Sequence, residues 1–141
     1  MIGIALVVVG ALVLAASVLG LLWRTTAGRA RRVRGPVVSA EELGAGDLGA
    51  RVTLLQLSTP LCTQCPPTAR LLRAEAAARS GVAHLEVDVS VRIALADRFQ
   101  VLQTPTTLLL DADGRVRGRI GGRPRADVLA RELDLLLESP A

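Results

Sequence analysis

The stretch Leu57-Ser58-Thr59-Pro60-Leu61-Cys62-Thr63-Gln64-Cys65-Pro66-Pro67-Thr68 constrains the fold of this chain more than any other, because it holds both cysteines where one kind of backbone gives way to another. Val52, Leu54, Leu55 and Leu57 ahead of the cysteines predict a strand, and Thr68 to Arg79 behind them reads as a helix. A Cys-x-x-Cys pair at such a junction puts the first sulfur at a helix N-terminus, where unpaired N–H groups and the helix dipole favour a thiolate. Cys62 is therefore the expected nucleophile. Cys65, one turn further in, is placed to attack a mixed disulfide formed at Cys62 and release the partner.

Other uses of two cysteines fit less well. A static bridge closing so short a loop would stabilise little. A zinc site needs two further ligands, and beyond the pair the chain offers only His84, so no metal is expected without a second subunit. Asp111 and Asp113 read as turn residues and not as a calcium site, since no ligand series surrounds them.

Residues 1–23 are a different kind of chain. Ile2 to Trp23 carries no charge, and at about 1.5 Å per residue a helix of that length crosses the roughly 30 Å hydrocarbon layer. A cleaved signal peptide is the competing reading. No basic residue precedes the apolar run and no clear small-x-small cleavage site follows it, so a retained transmembrane helix is expected. Trp23 suits the headgroup region. Arg24, Arg29, Arg31, Arg32 and Arg34 follow, and the positive-inside rule then places the rest of the chain in the cytoplasm, with an extracytoplasmic placement as the alternative. Snorkelling and anionic headgroups account for this cluster. Nucleic acid is not an expected partner: the net charge is only +4, and no aromatic residues interleave a basic stripe.

Residues 24–50 read as a basic juxtamembrane segment and a linker, with a short helical turn at Ser39 to Leu43. A regular pattern occupies residues 51–138. Val52 to Leu57 alternates little, as expected of a strand covered on both faces. After the helix at Thr68 to Arg79 come a strand at Val82 to Val89 and a helix at Val91 to Gln100, capped by Ser90 and burying Ile93, Leu95, Ala96 and Phe99. Thr106 to Leu110 and Val116 to Ile120 are strands joined by the turn Asp111-Ala112-Asp113-Gly114. Gly121-Gly122 breaks the second, and Pro124 opens a last helix that buries Leu129, Leu133, Leu136 and Leu137. Trp23 and Phe99 are the only aromatic residues, so the core must be aliphatic. The order β-α-β-α-β-β-α predicts an α/β domain, a central mixed sheet with helices on both faces, preceded by one transmembrane helix.

Cys62-Thr63-Gln64-Cys65 after the first strand, Thr104-Pro105-Thr106 ahead of the third, Asp113-Gly114 in the hairpin turn and Gly121-Gly122 after it together resemble the thioredoxin-like superfamily over Arg51 to Leu137. With its N-terminal anchor the chain is similar in arrangement to TlpA/ResA-type proteins, which work outside the cytoplasmic membrane. The resemblance implies a cis Pro105 beside the cysteines, a Thr104 backbone that pairs with an extended substrate segment, and Gly121 lining the same groove. Two positions depart from the family pattern. Leu61 stands where a Trp precedes the first cysteine, and Gln56 stands where a buried Asp assists proton transfer at the second. Gln takes up no proton. His84, near the position of a family Lys, is either a helper in that transfer or, as a single His at a strand start usually is, a solvated surface residue. The first strand and helix of full-length thioredoxins are expected to be missing, replaced by the linker.

The expected function is thus a membrane-anchored thiol–disulfide oxidoreductase without a cofactor, using Cys62 and Cys65, with Thr104, Pro105 and Gly121 as the substrate groove. Its partners would be protein thiols and disulfides and a redox partner protein, with residues 2–23 in the membrane. The alternative is a non-catalytic adaptor that holds a partner protein at the membrane.

Overall fold

The computed structural model describes residues 2–26, 28–44 and 46–138; the side chains of Ile2, Trp23, Arg24 and Thr26 lie outside the described set, and with them the expected place of Trp23 in the headgroups. Helix α1 (Ile2–Thr26) is long and apolar enough to cross a membrane, and none of its apolar window is covered by the rest of the chain. A surface so uniformly apolar has no aqueous side to turn to water.

Five strands form one mixed sheet: β1 (Ala30–Arg32), β2 (Val52–Ser58), β3 (Val82–Asp88), β4 (Thr106–Asp111) and β5 (Val116–Gly121), in the spatial order β1-β5-β4-β2-β3. β2 runs parallel to β3 and antiparallel to β4, and every one of its residues is buried. Because successive side chains alternate between faces, β2 feeds two cores. Leu55 and Leu57 join Val38, Leu43, Leu95 and Phe99 under the short helices α2 (Ala40–Leu43) and α4 (Ile93–Arg98). Val52 and Leu54 join Leu72, Leu129 and Leu133 under α3 (Cys65–Ala77) and α5 (Ala126–Glu138). Helices thus cover both faces, as the alternation of elements implied.

Several boundaries differ from expectation. α3 begins at Cys65 and not at Thr68, since proline is tolerated in a first helical turn and Pro66 and Pro67 extend the helix instead of delaying it. α4 is shorter than expected and begins at Ile93. Asp88 Oδ1 accepts from both the N–H and the Oγ of Ser90, which holds Ser90 in a turn, and Arg92 takes the cap position instead. Ile93 consequently points to solvent and Leu95 and Phe99 carry the burial. Leu136 and Leu137 are half-buried at the edge of the core.

The stretch expected as linker contributes more than a connection. Ala30, Arg31 and Arg32 pair with Ile120, Arg119 and Gly118, adding an edge strand that the arginines concealed in the sequence. Val37 bridges Arg115, Val38 is fully buried, and Ser39 caps α2 by accepting from the N–H of Glu42. A strand and a helix therefore do precede β2, both of them short.

Candidate redox site

β2 ends at Ser58, and the chain turns through Thr59-Pro60-Leu61 before the cysteines. The N–H of Cys62 donates to Thr59 O at 3.1 Å and that of Cys65 to Cys62 O at 3.2 Å, so two successive turns carry the pair. Cys62 and Cys65 are joined in a disulfide with Cα atoms 5.4 Å apart. The two sulfurs are unlike in access: Cys62 is half-buried while Cys65 is 3% exposed. Cys62 is therefore the sulfur open to solvent.

The helix entrance differs in detail from the sequence expectation. Pro66 and Pro67 have no N–H, the N–H of Cys65 is used by Cys62 O, and that of Thr68 is used by Gln64 O. What α3 offers a thiolate at Cys62 is therefore its dipole rather than those donors.

The peptide bond between Thr104 and Pro105 is cis. Thr104 Oγ1 lies 3.3 Å from Thr59 Oγ1, which places the proline loop against the turn that leads into Cys62. Thr106 pairs with Leu57 on one side and with Gly121 on the other, and the N–H of Gly122 donates to Pro105 O at 2.8 Å. Cys62, Cys65, Thr104, Pro105 and Gly121 are thus brought to one end of the sheet. At Gly121 an added Cβ would lie 2.4 Å from Nε2 of Gln103, so the missing side chain makes room for that amide. Leu61, next to Cys62, and Leu102, two residues before Thr104, are 94% and 93% exposed.

Beneath Cys65 lies a polar cluster that sequence reasoning found only in part. Gln56 is fully buried, and its Nε2 is 3.0 Å from Cys65 O, 3.0 Å from Ser58 Oγ and 3.3 Å from Glu86 Oε1. Ser58 Oγ donates to Glu86 Oε1 at 2.7 Å, and His84 Nε2 meets Gln56 Oε1 at 3.1 Å. His84 is therefore neither free in solvent nor in direct contact with a cysteine: it holds the far side of Gln56. Burial lowers its pKa from the usual 6.5, the charge of Glu86 opposes that shift, and Arg73 adds to it. Ser58 and Glu86 were missed because they are ordinary residues on strands; the signals were the two-residue spacing of Ser58 from Gln56 along β2 and the register of Glu86 with Gln56 across β2 and β3. Thr68 and Thr107 bury hydroxyls without a hydrogen-bond partner among the described residues, Thr107 in register with Gln56. No group of acidic, His or Cys side chains suited to a metal ion occurs among the described residues.

Strand order, covered faces and a cis-proline loop beside a Cys-x-x-Cys pair define a thioredoxin-like fold. Solved structures agree. Thioredoxin-2 of the malaria parasite aligns over 74% of this chain and 99% of its own, with 18% identity and a TM-score of 0.57. A mutant thioredoxin from Halobacterium salinarum aligns over 64% and 79%, with 22% identity and a TM-score of 0.56. Mitochondrial thioredoxin 3 of Saccharomyces cerevisiae in its oxidized form aligns over 60% and 77%, with 21% identity and a TM-score of 0.53. No family model and no curated protein matches the chain.

Proposed function

We propose that this chain is a thiol–disulfide oxidoreductase anchored in a membrane by α1. The observation that carries the reading is the accessible Cys62 joined to a buried Cys65 at the start of α3, with the cis Thr104–Pro105 bond against the same turn. In the reduced form, Cys62 as thiolate attacks one sulfur of a partner disulfide. A bond forms between the two sulfurs, the partner's own bond breaks, and the expelled thiolate takes up a proton. Cys65 then gives up its proton and attacks Cys62, releasing the partner as a dithiol and leaving the chain oxidised. The same steps in reverse hand a disulfide to a reduced partner, and another dithiol protein completes the cycle.

The other residues act on binding. The Thr104 backbone pairs with an extended partner segment, Pro105 and Gly121 shape the groove, and the exposed Leu61 and Leu102 give it an apolar rim. Gln56 fixes the Cys65 backbone, and the groups of its network able to hold a proton are His84 and Glu86. The arginines after α1 support a cytoplasmic placement of the domain. Labelling of Cys62 in intact cells by a membrane-impermeant thiol reagent would contradict that side.

Gln56 and Leu61, both departures from the family pattern, favour a second reading: an adaptor that binds a partner through the same groove without turnover. Trapping separates the two. With Cys65→Ser an oxidoreductase accumulates partners linked to Cys62 and released by reductant, whereas an adaptor retains the same partners when both cysteines are replaced.

A further inference from the structure

The passage from the membrane helix to the sheet is short, and it enters at the redox end. α1 ends at Thr26, and Gly28 is already part of the domain: its N–H donates to Gly121 O at 3.0 Å. The fit there is close, since Gly28 has φ +74 and an added Cβ would lie 2.7 Å from Arg123 O. Two residues span at most about 7 Å. The anchor therefore leaves the domain almost no freedom to move away from the bilayer.

Strand directions decide which part of the domain stays near. β4 runs antiparallel to both β2 and β5, so the C-terminal ends of β2 and β5 lie at the same end of the sheet. β1, antiparallel to β5, starts at that end with Ala30 opposite Ile120. From β1 to β2 is three strand spacings, roughly 15 Å. The end of α1 thus lies about 20–25 Å from the end of β2 that leads into Cys62.

The edge nearest the anchor is basic. Arg29, Arg31, Arg32, Arg34, Arg123 and Arg125 are exposed on β1 and in the segments beside it and after β5. Arg32 faces Glu132 and Arg125 faces Asp127, but among the described residues Arg29, Arg31, Arg34 and Arg123 have no acidic partner. Basic side chains held next to a bilayer are attracted to anionic headgroups within a Debye length. Short tether and edge charge, two separate observations, set the domain down on the same side.

Resting on the oxidoreductase reading, we propose that the domain docks through its β1–β5 edge on the anionic membrane surface and that its substrates are cysteine pairs carried close to that surface by membrane proteins. A soluble protein, or a pair on a long extramembrane arm, meets the groove far less often, because a short tether concentrates only what shares its plane.

The test uses the full chain in vesicles of phosphatidylcholine and phosphatidylglycerol, reduced beforehand and freed of reductant. Two single-span peptides serve as probes, one with a disulfide about five residues beyond its span and one about sixty. In a single turnover the near disulfide is expected to be reduced at least about 10-fold faster than the far one, and a Gly/Ser insertion of about thirty residues between Thr26 and Gly28 to bring the two rates together. Equal rates in the unmodified chain, or a faster far disulfide, overturn the proposal. A second readout needs no redox chemistry. In a Cys62→Ser, Cys65→Ser background, a fluorophore on Arg123→Cys is expected to lose most of its emission to headgroup-bound quenchers, while one on Ser80→Cys keeps it. Equal quenching overturns the docking. If neither peptide is reduced, the oxidoreductase reading fails and the substrate class with it, while the quenching contrast still reports the docked edge.

Discussion

Gln56 Nε2 donates to the carbonyl oxygen of Cys65 at 3.0 Å, so a buried side chain that takes up no proton holds the backbone of the buried sulfur of the pair. The same amide faces Ser58 and Glu86, and its oxygen faces His84. Gln56→Glu keeps the volume but removes the donor and sets a second carboxyl beside Glu86. A buried acceptor left without its donor costs about 1–3 kcal/mol. Urea unfolding at neutral pH is expected to show a loss of that size, shrinking as acid protonates the new carboxyl. An unchanged midpoint would mean that the amide contact carries no weight.

His84 links this network to pH. Burial holds its folded pKa below the 6.5 it has when unfolded, with Arg73 adding to the shift and Glu86 opposing it. The unfolded chain then binds more protons in that range, so stability is full above about pH 6.5 and falls as the pH drops through the folded value. His84→Gln is expected to flatten the acid side of a plot of unfolding midpoint against pH. A profile that keeps its slope would assign the acid sensitivity to other groups.

Gly121 separates fold from binding. Among the described residues, the only close neighbour of an added Cβ is the far end of the Gln103 side chain, a flexible group that swings aside. Gly121→Ala is expected to change the unfolding free energy by no more than about 0.5 kcal/mol. Gln103 displaced toward the groove should raise KM for a protein substrate several-fold, with kcat little altered. A large fall in stability with unchanged KM would remove Gly121 from the groove.

Gly114 tests the segment that precedes β2. It has φ +75, and an added Cβ would lie 2.1 Å from the backbone oxygen of Val38, whose N–H donates to Gly114 O at 2.9 Å. Gly114→Ala combines left-handed backbone strain, about 1–2 kcal/mol, with a backbone collision. A loss at least that large is expected in urea unfolding, together with faster hydrogen exchange at Val38. A neutral result would mean that residues 36–38 are not held by the β4–β5 turn.

Elements with strong local signals were legible without coordinates. The apolar run of β2, the Asp111 to Gly114 turn and the leucine spacing of α5 each write their structure into neighbouring residues, as do the paired Cys62 and Cys65 and the cis proline of Thr104-Pro105-Thr106. β1 was not legible, because two of its three residues are arginines and only pairing with β5 makes it a strand. The start of α4 was misjudged because Ser90, a good cap by type, is bound by Asp88.

The sequence by itself determined the order of elements from β2 onward, the apolar helix and the closeness of two sulfurs, since each depends on residues close together along the chain. Only the tertiary structure decided that Gln56 is tied to His84 and Glu86, that Cys62 is the more exposed of the two sulfurs, and that Gly28 fastens the end of α1 beside Gly121. Those relations join residues distant in sequence, and they exist because strand register and direction, fixed by burying two aliphatic faces at once, bring them to one end of the sheet.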